Sequence, residues 1–136
     1  MNWAVFELST AEIEDRTTYN LQLEHPDHPD VRLVVWHVQV PIGKTVRELA
    51  ARRVAEEMAR LDGYTILEQR EVAWRETPAI EISSRWRHAG AVYYQTQAHF
   101  APDDTLRSFS LAGPIASRAA CDAWFEDIRA SIRMRS

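Results

Sequence analysis

The second half of the chain is a run of alternating apolar and polar residues, broken only by very short turns. The turns fall at 76–78, 88–90 and 102–104, where proline, glycine and aspartate occur. Alternation with a period of two is typical of half-buried strands, and strands joined by short turns pair antiparallel. This pattern predicts four strands in an antiparallel meander: Tyr64–Trp74, Ala79–Arg87, Ala91–Phe100 and Thr105–Ala112.

Three segments of the first half also have the character of strands. Trp3–Leu8 and Thr17–Glu24 alternate and predict two short strands. Val31–Val40 is apolar on both sides, so it must be covered on both faces of its sheet. The sheet is therefore expected to have helices or a partner on each side.

A helix is predicted over Val46–Leu61, because apolar residues recur there at helical spacing. Thr45 followed by Glu48 forms a capping box at its start. The same spacing places Met58 on the buried side of this helix and Glu57 on the outer side.

A second helix is predicted over 117–132, with Ala120, Trp124, Ile128 and Ile132 at near-helical spacing. The elements together predict one α+β domain spanning residues 1–136. Its expected architecture is an antiparallel sheet of six or seven strands flanked by two helices.

Composition excludes several classes of protein. Of the 136 residues, 46% are hydrophobic and 26% are charged, which excludes a disordered chain. The net charge of -4 and the pI near 5.7 argue against a nucleic-acid binder. No apolar run reaches the length of a membrane span, and the first residues lack a signal-peptide pattern. With the lone Cys121, these features predict a cytoplasmic protein without stable membrane insertion.

Motifs for catalysis or metal binding are weak. His25 and His28 are spaced like a pair of metal ligands, but their proline-rich loop favours neither a third ligand nor a fixed geometry. No metal and no cofactor is therefore expected, and Cys121 is interpreted as structural. His37 and His99 lie on predicted strands, which leaves open a less favoured hypothesis: an enzyme or small-ligand binder that uses one of them.

Arginines and glutamates are interleaved on two neighbouring predicted strands, at Arg70, Glu81, Arg85 and Arg87 among others. An arginine-rich strand next to Trp86 could stack nucleic-acid bases. A cross-strand ladder of arginine–glutamate pairs is the preferred interpretation, because acids are interleaved throughout.

Several short motifs, in this order along the chain, resemble one family. They are Phe6-Glu7-Leu8, Asp15-Arg16-Thr17, the stretch 61–70 (LDGYTILEQR), Pro78–Ile82, Arg85-Trp86-Arg87 followed by Gly90 and Gln97, and Ile128–Arg133. This series resembles the DcrB-like family and, within it, the effector-associated (Eag) chaperones of bacterial type VI secretion.

The resemblance implies a PsbP-like α/β/α sandwich, a homodimer and no enzyme activity. Eag chaperones hold the N-terminal transmembrane helices of a secreted effector in the cytoplasm until the effector is loaded onto the secretion spike. They shield these helices, the client, in an apolar cradle formed by the sheets of two protomers. The client-contacting pair of the family corresponds to Tyr19 and Leu21.

The predicted client-binding surface extends beyond these two residues. It is a set of apolar and aromatic strand residues: Tyr19, Leu21, Leu23, Val34, Trp36 and Tyr94. A buried transmembrane side chain is worth on the order of 1.5–3 kcal/mol, so a holder needs such a surface. The alternative for Val34 and Trp36 is a place in the core. The alternative function is a non-enzymatic binding module of the same fold with a different partner, such as an assembly or regulatory factor.

Overall fold

The computed structural model describes residues 19–40, 43–74, 76–103 and 105–135, and the side chains of those between 22 and 132. The elements in chain order are β1 (Tyr19–Glu24), β2 (Arg32–Gln39), α1 (Val46–Arg60), β3 (Asp62–Trp74), β4 (Thr77–His88), β5 (Ala91–Phe100), β6 (Thr105–Pro114) and α2 (Arg118–Arg135). A single 3-10 turn, Ile115–Ser117, precedes α2.

The six strands form one sheet in the order β1-β2-β6-β5-β4-β3, and every neighbouring pair is antiparallel. The predicted α+β class and the antiparallel meander are confirmed. The predicted strand Trp3–Leu8 lies outside the described residues. Strands β1 and β3 are the outermost of the described strands. Strand β3 changes register between Asp62 and Thr65 and again between Ile66 and Glu68.

The two helices pack on opposite faces of the sheet. Consecutive residues of β4 show this, because Ala79 belongs to the core cluster under α2 and Ile80 to the cluster under α1. Helix α1 lies over β3, β4 and β5, and α2 lies over β5 and β6. The two sides of the sheet are called the α1 face and the α2 face below.

Most of the apolar core lies on the α2 face. Its buried residues include Leu33, Val35, Phe109 and Leu111 from the sheet and Ile128 from α2. The α1 face has a much smaller apolar cluster of Ala50, Val54, Ile80 and Ile82, with Val46 and Tyr64 packed against it. The sheet is therefore apolar on one side and mixed on the other.

Helix α1 begins as predicted but is rotated relative to the predicted orientation. The Thr45 hydroxyl accepts a hydrogen bond from the Glu48 amide at 3.1 Å, which confirms the capping interaction. The assignment of an outer position to Glu57 is wrong, since Glu57 is 1% exposed, whereas Met58 is 57% exposed. The reason is that the sheet beneath this turn of α1 presents polar side chains.

Candidate functional site

Strand β5 presents a polar row to α1. Gln95, Gln97 and His99 are all buried, and each alternates with a residue on the α2 face. Tyr94 and Ala98, for example, lie in the apolar core under α2. Because successive strand residues point to opposite faces, β5 separates the apolar side of the protein from this polar row.

The polar row binds the buried carboxylate of Glu57. The side-chain amides of Gln95 and Gln97 each donate a hydrogen bond to it at 3.0 Å, and the Tyr64 hydroxyl donates a third at 3.0 Å. The Arg53 guanidinium lies 3.5 Å away and adds an ion pair. These donors offset the cost of removing the carboxylate from water. Burial raises the pKa of Tyr64 to about 12, so its hydroxyl stays a donor.

The hydrogen-bond row continues through His99. Its Nε2 lies 2.9 Å from Oε1 of Gln97, and its Nδ1 lies 2.8 Å from the Ser108 hydroxyl. Because the Gln97 amide nitrogen already donates to Glu57, its oxygen accepts from His99 Nε2–H, and Nδ1 accepts from Ser108. Burial, aided by the charge of Arg53, lowers the pKa of His99 to about 3. The imidazole is therefore neutral near pH 7, and it links Gln97 to Ser108 through its two ring nitrogens.

Trp36 closes this row on the β2 side. Its ring meets His99 edge-on at 5.9 Å between centroids, and the Arg53 guanidinium lies 4.9 Å above it. The register places Trp36 opposite Ser108 and Val34 opposite Ser110. Apolar and small polar side chains thus alternate across neighbouring strands. Val34, Trp36, His99, Ser108 and Ser110 are called the Trp36 surface below.

The structure divides the predicted client-binding residues between the two faces. Val34 and Trp36 lie on the α1 face, as parts of the Trp36 surface. Val34 is half-buried, and Trp36 is 9% exposed, so the alternative of a core position applies to Trp36. Leu23 is half-buried against the core on the α2 face, and Tyr94 is 2% exposed within that core. Tyr19 and Leu21 occupy β1 positions opposite His37 and Val35, and their side chains lie outside the described part.

Tyr94 is held firmly in its place under α2. Its hydroxyl donates to the Asp122 carboxylate at 2.6 Å, and the Arg118 guanidinium lies 4.8 Å above its ring. Burial and the neighbouring Asp122 raise the pKa of Tyr94 well above its usual value. Tyr94 could therefore reach a client only if α2 moved.

A second buried carboxylate, Glu81, lies on the α2 face. Arg70 donates to it at 2.7 Å, Arg129 at 2.9 Å and the indole nitrogen of Trp74 at 2.9 Å. The Arg70–Glu81 pair confirms the predicted cross-strand ladder at this position. The contribution of Arg129 was missed, because it comes from a helix 48 residues further along the chain. A cleft of about 190 Å³ adjoins this cluster.

His25 and Cys121, which the sequence offered as possible metal-ligand or nucleophile positions, both make contacts typical of structural residues. The His25 ring meets Trp124 edge-on at 4.9 Å, and its Nδ1 accepts a hydrogen bond from the Asp27 amide. Burial raises the pKa of the Cys121 thiol to about 12, which fits its interpretation as structural. Across the described ranges, no three His, Cys, Asp or Glu residues are grouped as metal ligands. No helix in those ranges is long and apolar enough to span a membrane.

A model of the DcrB family matches residues 4–131 of the sequence. The chain belongs to the DcrB family. No curated protein matches it significantly. Among solved structures, this DcrB-family chain is similar to PA94 from Pseudomonas aeruginosa, a protein of unknown function, with a TM-score of 0.67 at 13% identity. The match covers 85% of this chain and 82% of that one.

The fold is also similar to the solution structure of cyanobacterial PsbP (CyanoP) from Synechocystis sp. PCC 6803. The TM-score is 0.65 at 13% identity, with 82% of this chain and 71% of that chain covered. At such identity the likeness concerns the fold alone. The predicted PsbP-like architecture is confirmed for this DcrB-family protein.

Proposed function

We propose that this DcrB-family protein is a non-enzymatic chaperone or adaptor in the cytoplasm. Its client is the N-terminal transmembrane region of a type VI secretion effector, which it shields before the effector is loaded onto the spike. Membership of the DcrB family and the PsbP-like fold support a protein-binding module. The motif resemblance to Eag chaperones supports this class of client.

The observation that carries the proposal is the composition of the Trp36 surface. A transmembrane helix brings apolar side chains together with small polar residues that need hydrogen-bond partners. Val34 is half-buried, and Trp36, which is 9% exposed, lies beside it next to the buried Ser108 and Ser110. The client would contact Val34 directly and would reach Trp36 and the two serines only after neighbouring side chains move. The side chains of the neighbouring polar row are held in place by their hydrogen bonds to Glu57. They therefore form a rigid part of this surface. The face under α2 differs because its larger apolar cluster is already packed against that helix.

A homodimer follows from the shape of the client. A transmembrane helix is apolar around its whole circumference, whereas one sheet face covers a single side of it. A second protomer that presents its own Trp36 surface would cover the opposite side. Leu23 packs on the α2 side of the sheet, and Tyr19 and Leu21 occupy alternate β1 positions in register with it. These three residues would therefore contact the client only where it passes the β1 edge, not within the surface formed by Val34 and Trp36.

Co-expression tests this proposal directly. The N-terminal apolar region of an effector encoded beside this protein is produced with wild-type protein, with Val34→Asp or with Leu67→Asp. Val34 is half-buried on the Trp36 surface, and Leu67 is 37% exposed on the distant strand β3. We expect Val34→Asp to abolish recovery of soluble client, and Leu67→Asp to preserve it.

Each variant must first show the circular dichroism and elution volume of the wild-type protein, so that misfolding is recognised. Leu21→Asp and Leu23→Asp then test whether the β1 edge contributes. Equal client solubility with wild-type protein and folded Val34→Asp would show that the client binds elsewhere. Equal solubility in the absence of the protein would remove the chaperone role altogether.

A further inference from the structure

Most arginines of the described part pair with a carboxylate. Eight such pairs involve Arg32, Arg47, Arg52, Arg53, Arg70, Arg107, Arg118 and Arg129. Arg85 and Arg87 on β4 make no ion pair with any described residue. The predicted arginine–glutamate ladder therefore stops before these two positions. Two exposed, unpaired cations on neighbouring positions repel each other and attract an anion.

The geometry directs both arginines toward the edge of the sheet. They are two residues apart on one strand, so they share a face and are separated by about 7 Å. The Arg87 side chain lies across Gly63 of the edge strand β3, with its Cγ and Cδ atoms 3.7 Å from where a side chain would begin. Arg85 lies opposite Thr65, another short residue of β3. Because Gly63 and Thr65 are small, the two arginine side chains can extend across β3 toward the edge of the sheet.

A recess of about 270 Å³ opens at this corner, and no acidic residue lines it. Its lining consists of Gly63, Thr65, Arg85, Trp86, Arg87 and Val92. The nearest acid in the pairing register, Asp62, lies opposite Arg87 but forms no ion pair with it. The register change between Asp62 and Thr65 interrupts the ladder with β4 at this point. Among the described strands β3 is an edge strand, so no described strand pairs with its outer backbone groups.

We propose that this corner, Gly63–Thr65 with Arg85 and Arg87, binds an extended acidic segment of a protein partner. The segment lies beside the start of β3 and places two carboxylates on the two arginines. Side chains two residues apart on an extended chain are separated by the same distance as these arginines. Edge pairing supplies backbone hydrogen bonds, and the arginines supply selectivity for acidic sequences. The site lies on the α2 face, apart from the Trp36 surface, and does not depend on the proposed client.

A peptide is favoured over a nucleic acid as the ligand of this corner. The protein has a net charge of -4, so a long polyanion meets repulsion beyond the two arginines. A short acidic segment would contact only the two arginines and would avoid this repulsion.

Fluorescence anisotropy with short labelled peptides tests the proposal. One peptide alternates glutamate with valine, and its partner alternates glutamine with valine. We expect the glutamate peptide to bind wild-type protein at low salt, and binding to weaken on the order of tenfold in the double variant Arg85→Gln/Arg87→Gln. The matched control, Arg32→Gln/Arg52→Gln, removes the same charge from exposed positions elsewhere and should leave binding unchanged. Asp62→Asn should strengthen it, because it removes the nearest competing carboxylate.

Three results would overturn the proposal. One is equal affinity for the glutamine and glutamate peptides, or no binding of either. Another is equal weakening in the control variant, which would indicate a general charge effect. The last is tighter binding of a single-stranded oligonucleotide with the same dependence on Arg85 and Arg87, which would make the ligand a nucleic acid.

Discussion

Two buried glutamates lie on opposite faces of the sheet and are held in different ways. Glu57 is 1% exposed and receives its hydrogen bonds from two amides and a phenol. Glu81 is 5% exposed and is bound by two arginines and an indole. Neutral donors make the hydrogen bonds to the first carboxylate, and one arginine, Arg53, lies 3.5 Å from it. The second carboxylate instead accepts hydrogen bonds directly from two arginines. The α2 face thereby closes into an ordinary core, and the α1 face keeps an ordered polar floor.

The largest expected effect is at Glu81. Glu81→Leu leaves the Arg129 guanidinium buried without its main partner, although Glu126 remains in contact with it. Removing one member of a buried ion pair costs about 3–5 kcal/mol. We expect a value at the lower end of this range, because Arg70 is half-exposed and can be hydrated when its partner is lost. Urea denaturation should therefore show a loss of about 3 kcal/mol. A loss below about 1 kcal/mol would mean that solvent already screens this cluster.

A smaller loss is expected at Glu57. Glu57→Gln keeps the shape but replaces one acceptor oxygen with a donor, which then faces donors from β5. Leaving buried polar groups unsatisfied costs about 1–3 kcal/mol. The triple variant Glu57→Leu/Gln95→Leu/Gln97→Leu removes donors and acceptor together and should recover part of the loss. If the triple variant is no more stable than Glu57→Gln, the network is worth more than its apolar replacement.

The α1 face should also confer a specific pH dependence. Because the pKa of His99 falls to about 3 on folding, the unfolded chain binds a proton before the folded one does. Stability is therefore complete above about pH 6.5 and falls on acidification toward pH 3, by up to about 1.4 kcal/mol per pH unit. Unfolding measured at several pH values should give a shallower slope for His99→Asn. An unchanged slope would assign the titration to other groups.

The smallest effect is expected at the margin of the α2 face. Tyr94→Phe removes the hydrogen bond to Asp122 but keeps the ring in the core. The expected loss is about 1 kcal/mol, because Asp122 is exposed and can turn to water. Thermal unfolding checks this value. A loss as large as that of Glu81→Leu would show that the two faces are more alike than their contacts indicate.

The strands could be predicted well because alternation depends only on local sequence. The predicted and observed bounds of β5 are identical, and those of β2 differ by one residue at each end. The orientation of α1 could not be predicted in the same way. Glu57 and Met58 are neighbours on the helix, and only the polar row of β5 determines which one turns inward. Buried polar residues at alternate positions of β5 were the signal that such a partner existed.

The grouping of the predicted client-binding residues required a register that local sequence does not contain. Val34 and Leu33 were expected on opposite faces of their strand. Whether Leu23 joins one or the other depends on how β1 aligns with β2, and the structure pairs it with Leu33. A shift of one residue in that alignment would move Leu23 to the other face. The resemblance to a family supplied residue identities but not this alignment.

Strand β5 is buried on both faces from Tyr94 to Phe100. A one-residue slip would push Gln95, Gln97 and His99 into the apolar core and bring residues of the opposite face, such as Thr96, to the carboxylate of Glu57. Misalignment is therefore unfavourable for two reasons. It would bury polar side chains without hydrogen-bond partners, and it would leave the buried carboxylate of Glu57 without its donors. The register of β5 with its neighbours β4 and β6 is therefore strongly specified, whereas the mostly exposed edge strand β3 lacks such a constraint.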